Sequence, residues 1–184
     1  QAYKFFSAHV YKEHLFLIPD EYSYIVRLDM DTQKVTYTED LRDIFITEDQ
    51  NYDRYCGGVA FFGNELLIGS QANNKLLAID IDTLGHRIIK VGKDADAGCY
   101  KIISDVNNND ADSVFILPYK GNTVRRFYPN NSKVIDYEIN IDGLYCSDMK
   151  SQDYHDDLEP FSSLVVNNDT IYLAPFRSNK YVKI

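Results

Sequence analysis

From Leu15 to Glu39 the chain runs in short apolar stretches broken by polar turns. Leu15-Phe16-Leu17-Ile18 is followed by Pro19-Asp20-Glu21, then by Tyr24-Ile25-Val26-Arg27-Leu28. The turn Asp29-Met30-Asp31-Thr32 leads into Lys34-Val35-Thr36-Tyr37-Thr38. Short runs rich in β-branched and aromatic residues, bounded by Pro, Asp and Asn, predict strands joined by tight turns. Helical stripes of period 3.6 are missing from this stretch.

The pattern recurs. Phe16 corresponds to Leu67, Phe115 and Tyr172, at spacings of 51, 48 and 57 residues, and Pro19 corresponds to Ser70, Pro118 and Pro175. Leu28-Asp29-Met30-Asp31-Thr32 corresponds to Ile79-Asp80-Ile81-Asp82-Thr83 and more loosely to Phe127-Tyr128-Pro129-Asn130-Asn131. A further apolar run precedes each unit: Phe6 to Val10, Gly58 to Phe62, Lys101 to Ser104 and Ser163 to Val166. Each repeat therefore holds four strands in about 50 residues, the range of propeller blades.

The repeat resembles a β-propeller blade of the kelch-like or quinoprotein-like kind. Gly57-Gly58 sits where kelch blades carry a glycine pair. The chain has no Trp, so the Trp-Asp ending of WD40 blades is absent. The resemblance implies an all-β propeller of four-stranded antiparallel blades, at about residues 4–40, 56–93, 98–141 and 161–184, in a single repeat domain. The last blade is incomplete, since Ile184 corresponds to Leu28 and no fourth strand follows. That leaves an unpaired sheet edge. Missing blades of a larger propeller, or a second copy of the chain, would complete it.

Composition narrows the partners. The net charge of −9 argues against a nucleic-acid duplex, because phosphate binding needs clustered Lys and Arg. The basic stretch Lys120 to Arg126 reads as an ordinary solvated strand. No run of apolar residues is long enough for a spanning helix, which predicts no membrane insertion. The three cysteines, Cys56, Cys99 and Cys146, form no C-x-x-C pair and read as free thiols. With no signal-peptide pattern at Gln1-Ala2-Tyr3-Lys4, they favour a reducing, cytoplasmic setting. The Asn, Lys, Ile and Tyr content points to an AT-rich bacterial genome.

Candidate chemistry lies in loops. Those between second and third strands, with the connection Leu41 to Tyr55, offer Tyr22, Tyr24, Arg54, Tyr55, Asn73, Asn74, Tyr119, Asn122, Phe176, Arg177 and Asn179. Loop aromatics and amides suit a protein or carbohydrate ligand, which makes a binding module the leading reading. The connection itself, with Asp43, Glu48, Asp49 and Asp53, reads as a solvated acidic linker.

The segment Asp142 to Pro160 gathers Asp153, His155 and Glu159. They are the catalytic candidates of an alternative reading, a glycoside hydrolase or lyase with its site at the channel mouth. No nucleophile or phosphate-loop motif supports it. A structural or sensory domain of a larger protein is the third reading.

Asp105, Asn107 and Asn109 alternate like calcium ligands, but Asp110 and Ile116 stand where such a loop wants Gly and Glu. A plain Asn/Asp-rich turn is the simpler reading, so no cofactor is expected. Among the histidines, His9 alternates on a strand and can face the channel, although a structural role is favoured. His14 reads as an exposed turn residue, and His86 as pointing away from the channel.

Overall fold

A computed structural model describes residues 4–20, 22–45, 55–92, 98–104, 112–118, 122–140, 161–167, 170–175 and 180–184. The first sheet is β1 (Phe5–Tyr11), β2 (His14–Pro19), β3 (Tyr24–Asp29) and β4 (Lys34–Asp40), paired in chain order. A short helix α1 (Arg42–Phe45) follows. The second sheet is β5 (Cys56–Phe62), β6 (Glu65–Ser70), β7 (Lys75–Asp80) and β8 (His86–Lys90). The third is β9 (Cys99–Ser104), β10 (Val114–Pro118), β11 (Thr123–Tyr128) and β12 (Lys133–Glu138). The fourth holds β13 (Phe161–Asn167), β14 (Thr170–Pro175) and β15 (Val182–Lys183). Successive antiparallel meanders around a common axis are the β-propeller architecture, and the last blade lacks its outer strand.

The turns repeat as closely as the strands. Asp29 Oδ1 accepts Thr32 N and Thr32 Oγ1, both at 2.7 Å. Asp80 Oδ1 accepts Thr83 N at 2.7 Å and Thr83 Oγ1 at 2.8 Å. These bonds hold both carboxyls below their usual range. The residue after each such turn crosses to positive φ, at Gln33 (56°), Leu84 (63°) and Ser132 (55°), which preserves the spacings of 51 and 48. A positive φ there gives the turn the twist its flanking strands need.

Three apolar cores lie between neighbouring blades. Phe16, Ile18 and Ile25 of the first sheet pack on Leu66, Ile68, Leu77 and Ile79 of the second. The other face of the second sheet, with Leu67, Leu76 and Ala78, packs on Ile102, Val114, Ile116 and Phe127. Phe115, Leu117 and Val124 meet Phe161, Leu164, Ile171 and Leu173. Alternation thus sends successive residues of one strand into different cores. Each fully buried Phe or Leu stabilises the fold by about 1.5–3 kcal/mol.

Several expectations change. Leu41, Ile44 and Phe45 are buried, so the start of the expected solvated linker is instead a helical turn sealing the first core. Asp40 accepts the Arg42 backbone N–H at 3.0 Å and the Arg42 guanidinium, which holds its carboxyl down at about 2. His14 heads β2 opposite Asp29 and is largely buried, because strand pairing begins one residue earlier than the turn pattern implied. Arg125, expected on a solvated strand, is 5% exposed, with Nε 3.3 Å from Asp136 Oδ1 across the β11–β12 pair. Among the described residues, no helix is long and apolar enough to cross a membrane.

Candidate functional site

Each inner strand carries one residue more than its neighbour. The β1–β2 register steps between Phe5 and Ser7, the β5–β6 register between Cys56 and Gly58, and the β13–β14 register between Phe161 and Ser163. In the third sheet β9 steps between Cys99 and Lys101. The extra residues, Phe6, Gly57, Tyr100 and Ser162, form equivalent β-bulges in four successive blades. A bulge bends its strand and re-aims side chains, and bulges concentrate beside functional sites.

Three of the bulge residues, Phe6, Gly57 and Ser162, line one hollow of about 460 Å³, together with Ser7, His9, Asp20, Cys56, Gly58, Val59, Gln71 and Lys101. Asp20 and Gln71 are equivalent residues, each just past the second strand of its blade. Asp20 N donates to Lys4 O at 3.1 Å, and Gln71 N donates to Tyr55 O at 3.3 Å. These bonds place the loops after the second strands at the same end as the entries to the inner strands.

The polar groups are mixed in kind. Gln71 is 8% exposed, and its Oε1 has no hydrogen-bond partner among the described residues. A buried carbonyl without a donor is costly, so it points to something supplied from outside the chain. Lys101 Nζ donates to Ser163 Oγ at 3.4 Å. His9 Nε2 lies 3.0 Å from Ser7 Oγ, with its ring edge-on to Phe61 at 6.1 Å. Burial lowers the His9 pKa below 6.5, so its ring is neutral at pH 7. The Cys56 thiol is buried, pushed well above its usual pKa by desolvation, and poorly suited to attack.

This set can donate and accept hydrogen bonds, and it holds one ammonium and one carboxylate. Among the described residues, the hydrogen bond of the His9 ring is the one with Ser7 Oγ. No three His, Cys, Asp or Glu side chains stand together as metal ligands among those residues.

Of the residues singled out in the sequence as ligand contacts, the described ones, Tyr22, Tyr24, Tyr55, Asn73, Asn74 and Asn122, are not among those that line the hollow. Tyr22 lies edge-on to Phe5 at 5.7 Å and 5.4 Å from Tyr24, whose ring carries the Arg42 guanidinium at 5.8 Å. They form one aromatic group at the surface, with Tyr22 40% exposed. Tyr55 packs on the first core. Asn73 is buried, donating to Phe45 O at 2.7 Å and accepting Lys75 N at 3.1 Å, so its amide closes the end of α1. Asn74 donates to Gly92 O at 3.2 Å, and Asn122 donates to Ile139 O at 2.9 Å. Both clasp the exit of a fourth strand.

Arg54, Tyr119, Phe176, Arg177, Asn179, Asp153, His155 and Glu159 lie outside the described residues, as do Asp105, Asn107 and Asn109. His86 meets Glu39 Oε2 at 3.3 Å, away from the hollow.

Sequence reasoning passed over Ser7, Asp20 and Lys101, read Gln71 only as part of the polar loop Gln71-Ala72-Asn73-Asn74, which can hydrogen-bond a ligand but needs none, and weighed His9 as structural. A signal was available. Asp20, Gln71, Tyr119 and Phe176 recur at the blade spacing, directly after the residue that ends each second strand.

No known family pattern matches the chain, and no curated protein matches it. Solved structures do resemble it. Hydrazine synthase of Kuenenia stuttgartiensis aligns with a TM-score of 0.54 at 16% identity, over 88% of this chain and 38% of that one. The β-propeller domain of Cps50 (Swd1) from Myceliophteria thermophila aligns at 0.57 and 9% identity, over 94% and 49%. The computationally designed Ika4 protein aligns at 0.59 and 9% identity, over 96% and 88%. The chain thus spans less than half the length of the first two. At these identities the likeness establishes the propeller fold alone.

Proposed function

We propose that the chain is a propeller binding module that takes a polar, hydroxyl-rich ligand of the carbohydrate class in the bulge-lined hollow. The observation that carries this reading is the buried, unpartnered Gln71 Oε1 in the wall of the hollow. A volume of about 460 Å³ lies within the ordinary range of small-molecule sites. The lining has both donors and acceptors, with an aromatic ring at Phe6. A sugar presents hydroxyls that donate and accept, together with apolar C–H faces. The aromatic group of Tyr22 and Tyr24 extends the same surface for a longer glycan. The kelch-like placement of Gly57-Gly58 belongs to this reading, since Gly58 lets the second and third inner strands approach closely beside the hollow.

The test is calorimetric titration of a panel of mono- and disaccharides against the wild type, Gln71→Met and Lys101→Met. Both substitutions keep an unbranched side chain of similar bulk and remove the amide or the ammonium group. At least one saccharide should bind the wild type, with affinity reduced about tenfold in each variant and thermal stability retained. No binding by any saccharide, or unchanged affinity in both variants, overturns the reading.

A further inference from the structure

One residue past each bulge, the inner strands place Ser7, Gly58, Lys101 and Ser163 at equivalent positions, opposite Ile18, Gly69, Leu117 and Ala174 of the second strands. The first three line the hollow. Lys101 is the long side chain of this tier, and the other three members are two hydroxyls and a glycine. Gly58 lies directly against the Lys101 main chain. The ammonium therefore hangs from a strand held by its pairing with Leu117 and by close contact with the neighbouring blade. A group carried on such a rigid element is better positioned than one on a loop.

The Lys101 ammonium has a neutral partner. Among the described residues, Nζ donates to Ser163 Oγ at 3.4 Å, which is long for a hydrogen bond from a charged donor. Other cations of the chain meet carboxylates: Lys12 with Asp82 at 2.9 Å, Arg87 with Glu65 at 2.8 Å and Arg125 with Asp136 at 3.3 Å. Lys101 is half-buried, and a charge drawn partly out of water is costly until an opposite charge meets it. A distant hydroxyl leaves most of that cost in place, and a carboxylate removes it.

We propose that Lys101 makes the hollow selective for an acidic saccharide, a proposal that rests on the carbohydrate reading of the hollow. The carboxylate of a uronic acid sits on the Lys101 ammonium, and its hydroxyls meet Gln71 Oε1 and the serine hydroxyls. Such a ligand brings both missing partners, a donor for the Gln71 carbonyl and an anion for the ammonium. Asp20, the carboxylate of the same lining, accepts from ligand hydroxyls and repels a second anion, so the fit is to one acid group per ligand. The net charge of −9 does not decide against it. Charges farther away than about 8 Å are largely screened at physiological salt, whereas a partly buried pair in contact is screened much less.

The test is calorimetric titration at pH 7 with two matched pairs, glucuronate against glucose and galacturonate against galactose. The proteins are the wild type, Lys101→Met, Lys101→Arg and Gln71→Met. In the wild type at least one acid should bind about tenfold more tightly than its neutral parent, the difference between a charged and a neutral hydrogen bond. Lys101→Met should weaken that acid about tenfold and leave the parent nearly unchanged, so that the preference disappears. Lys101→Arg keeps the charge and should keep the preference. Gln71→Met should weaken acid and parent alike and preserve their ratio. Circular dichroism checks the fold of each variant, and the wild-type comparison needs no variant. An acid that binds no better than its parent overturns the inference and leaves the carbohydrate site standing. A preference that survives Lys101→Met seats the anion elsewhere and overturns the role of Lys101. Silence from all four sugars overturns the inference, and the wider saccharide panel then decides whether the carbohydrate reading falls with it.

Discussion

Gly58 lies against the backbone of Lys101, so close that a β-carbon on Gly58 would stand 2.6 Å from the Lys101 Cα and 2.5 Å from the Ile102 nitrogen. The second and third inner strands meet at this point, and the atoms in the way are main chain, which cannot swing aside. Gly58→Ala should therefore lower stability by about 3 kcal/mol, at the upper end of overpacking costs. Gly85→Ala is the control, since its new methyl meets only Thr83 Oγ1 at 3.4 Å. Urea denaturation of both variants checks this, and equal midpoints would show that the strands separate at no cost.

The blade strands and the Asp-Thr turns are legible in the sequence because local rules fix them. Alternation sets the faces of Phe16 and Leu17, and Asp29 and Asp80 bond within their own turns. The bulges are not legible, because a single extra residue leaves the apolar pattern of the neighbouring strand unchanged. Helix α1 is hidden for another reason. Its burial depends on Asn73, 28 residues later, holding the Phe45 carbonyl. The same contact explains why Asn73 reads as a loop residue available to a ligand while its amide is already committed. Gln71 shows the converse, since nothing local separates it from Asn73 and only the axis of the assembled ring gives it a site.

The positive-φ residue after each third strand is a place where the chain carries strain. Ser132 and Gln33 are exposed non-glycine residues at φ 55° and 56°. Left-handed backbone costs most L-residues about 1–2 kcal/mol, and Asn tolerates it best among those with a side chain. Ser132→Asn should raise stability by about 0.5–1 kcal/mol, and adding Gln33→Asn in a separate blade should add a similar amount. Ser132→Val should lower it. Thermal unfolding of the three variants checks the order, and a Val variant as stable as wild type would mean that the turn relaxes to another conformation.

Asn122 and Asn74 hold equivalent clasps. Asn122 O accepts Ile139 N at 2.9 Å while its amide donates to Ile139 O, and Asn74 O accepts Val91 N at 2.8 Å while its amide donates to Gly92 O. In the first blade the same backbone bond runs from Leu41 N to Ser23 O at 2.9 Å. Asn122→Ala keeps the backbone bond and removes the amide, so it should cost about 1 kcal/mol, as for a single hydrogen bond. Its effect should be local, with faster hydrogen exchange at the end of β12 and none at β4. Exchange that rises uniformly across all sheets would show that Asn122 supports the whole ring instead.

His9 ties stability to mild acid. Burial lowers its folded pKa below the ordinary 6.5, so between those two values the unfolded chain binds a proton that the folded chain does not. Stability from this group is therefore fully present above pH 6.5 and is lost as pH falls through the folded pKa. The cause is desolvation beside Phe61, while the hydroxyl of Ser7 bonds the ring without adding charge. His9→Gln keeps a hydrogen-bonding group and removes the titration. Wild type should lose denaturant resistance between pH 7.5 and 5.5, and His9→Gln should lose less over the same interval. A direct reading comes from the imidazole resonances of the native protein, whose midpoint for His9 should lie below 6.5. A midpoint at or above 6.5 would place a negative group against the ring, which is the arrangement a catalytic histidine needs and the opposite of the binding hollow argued above.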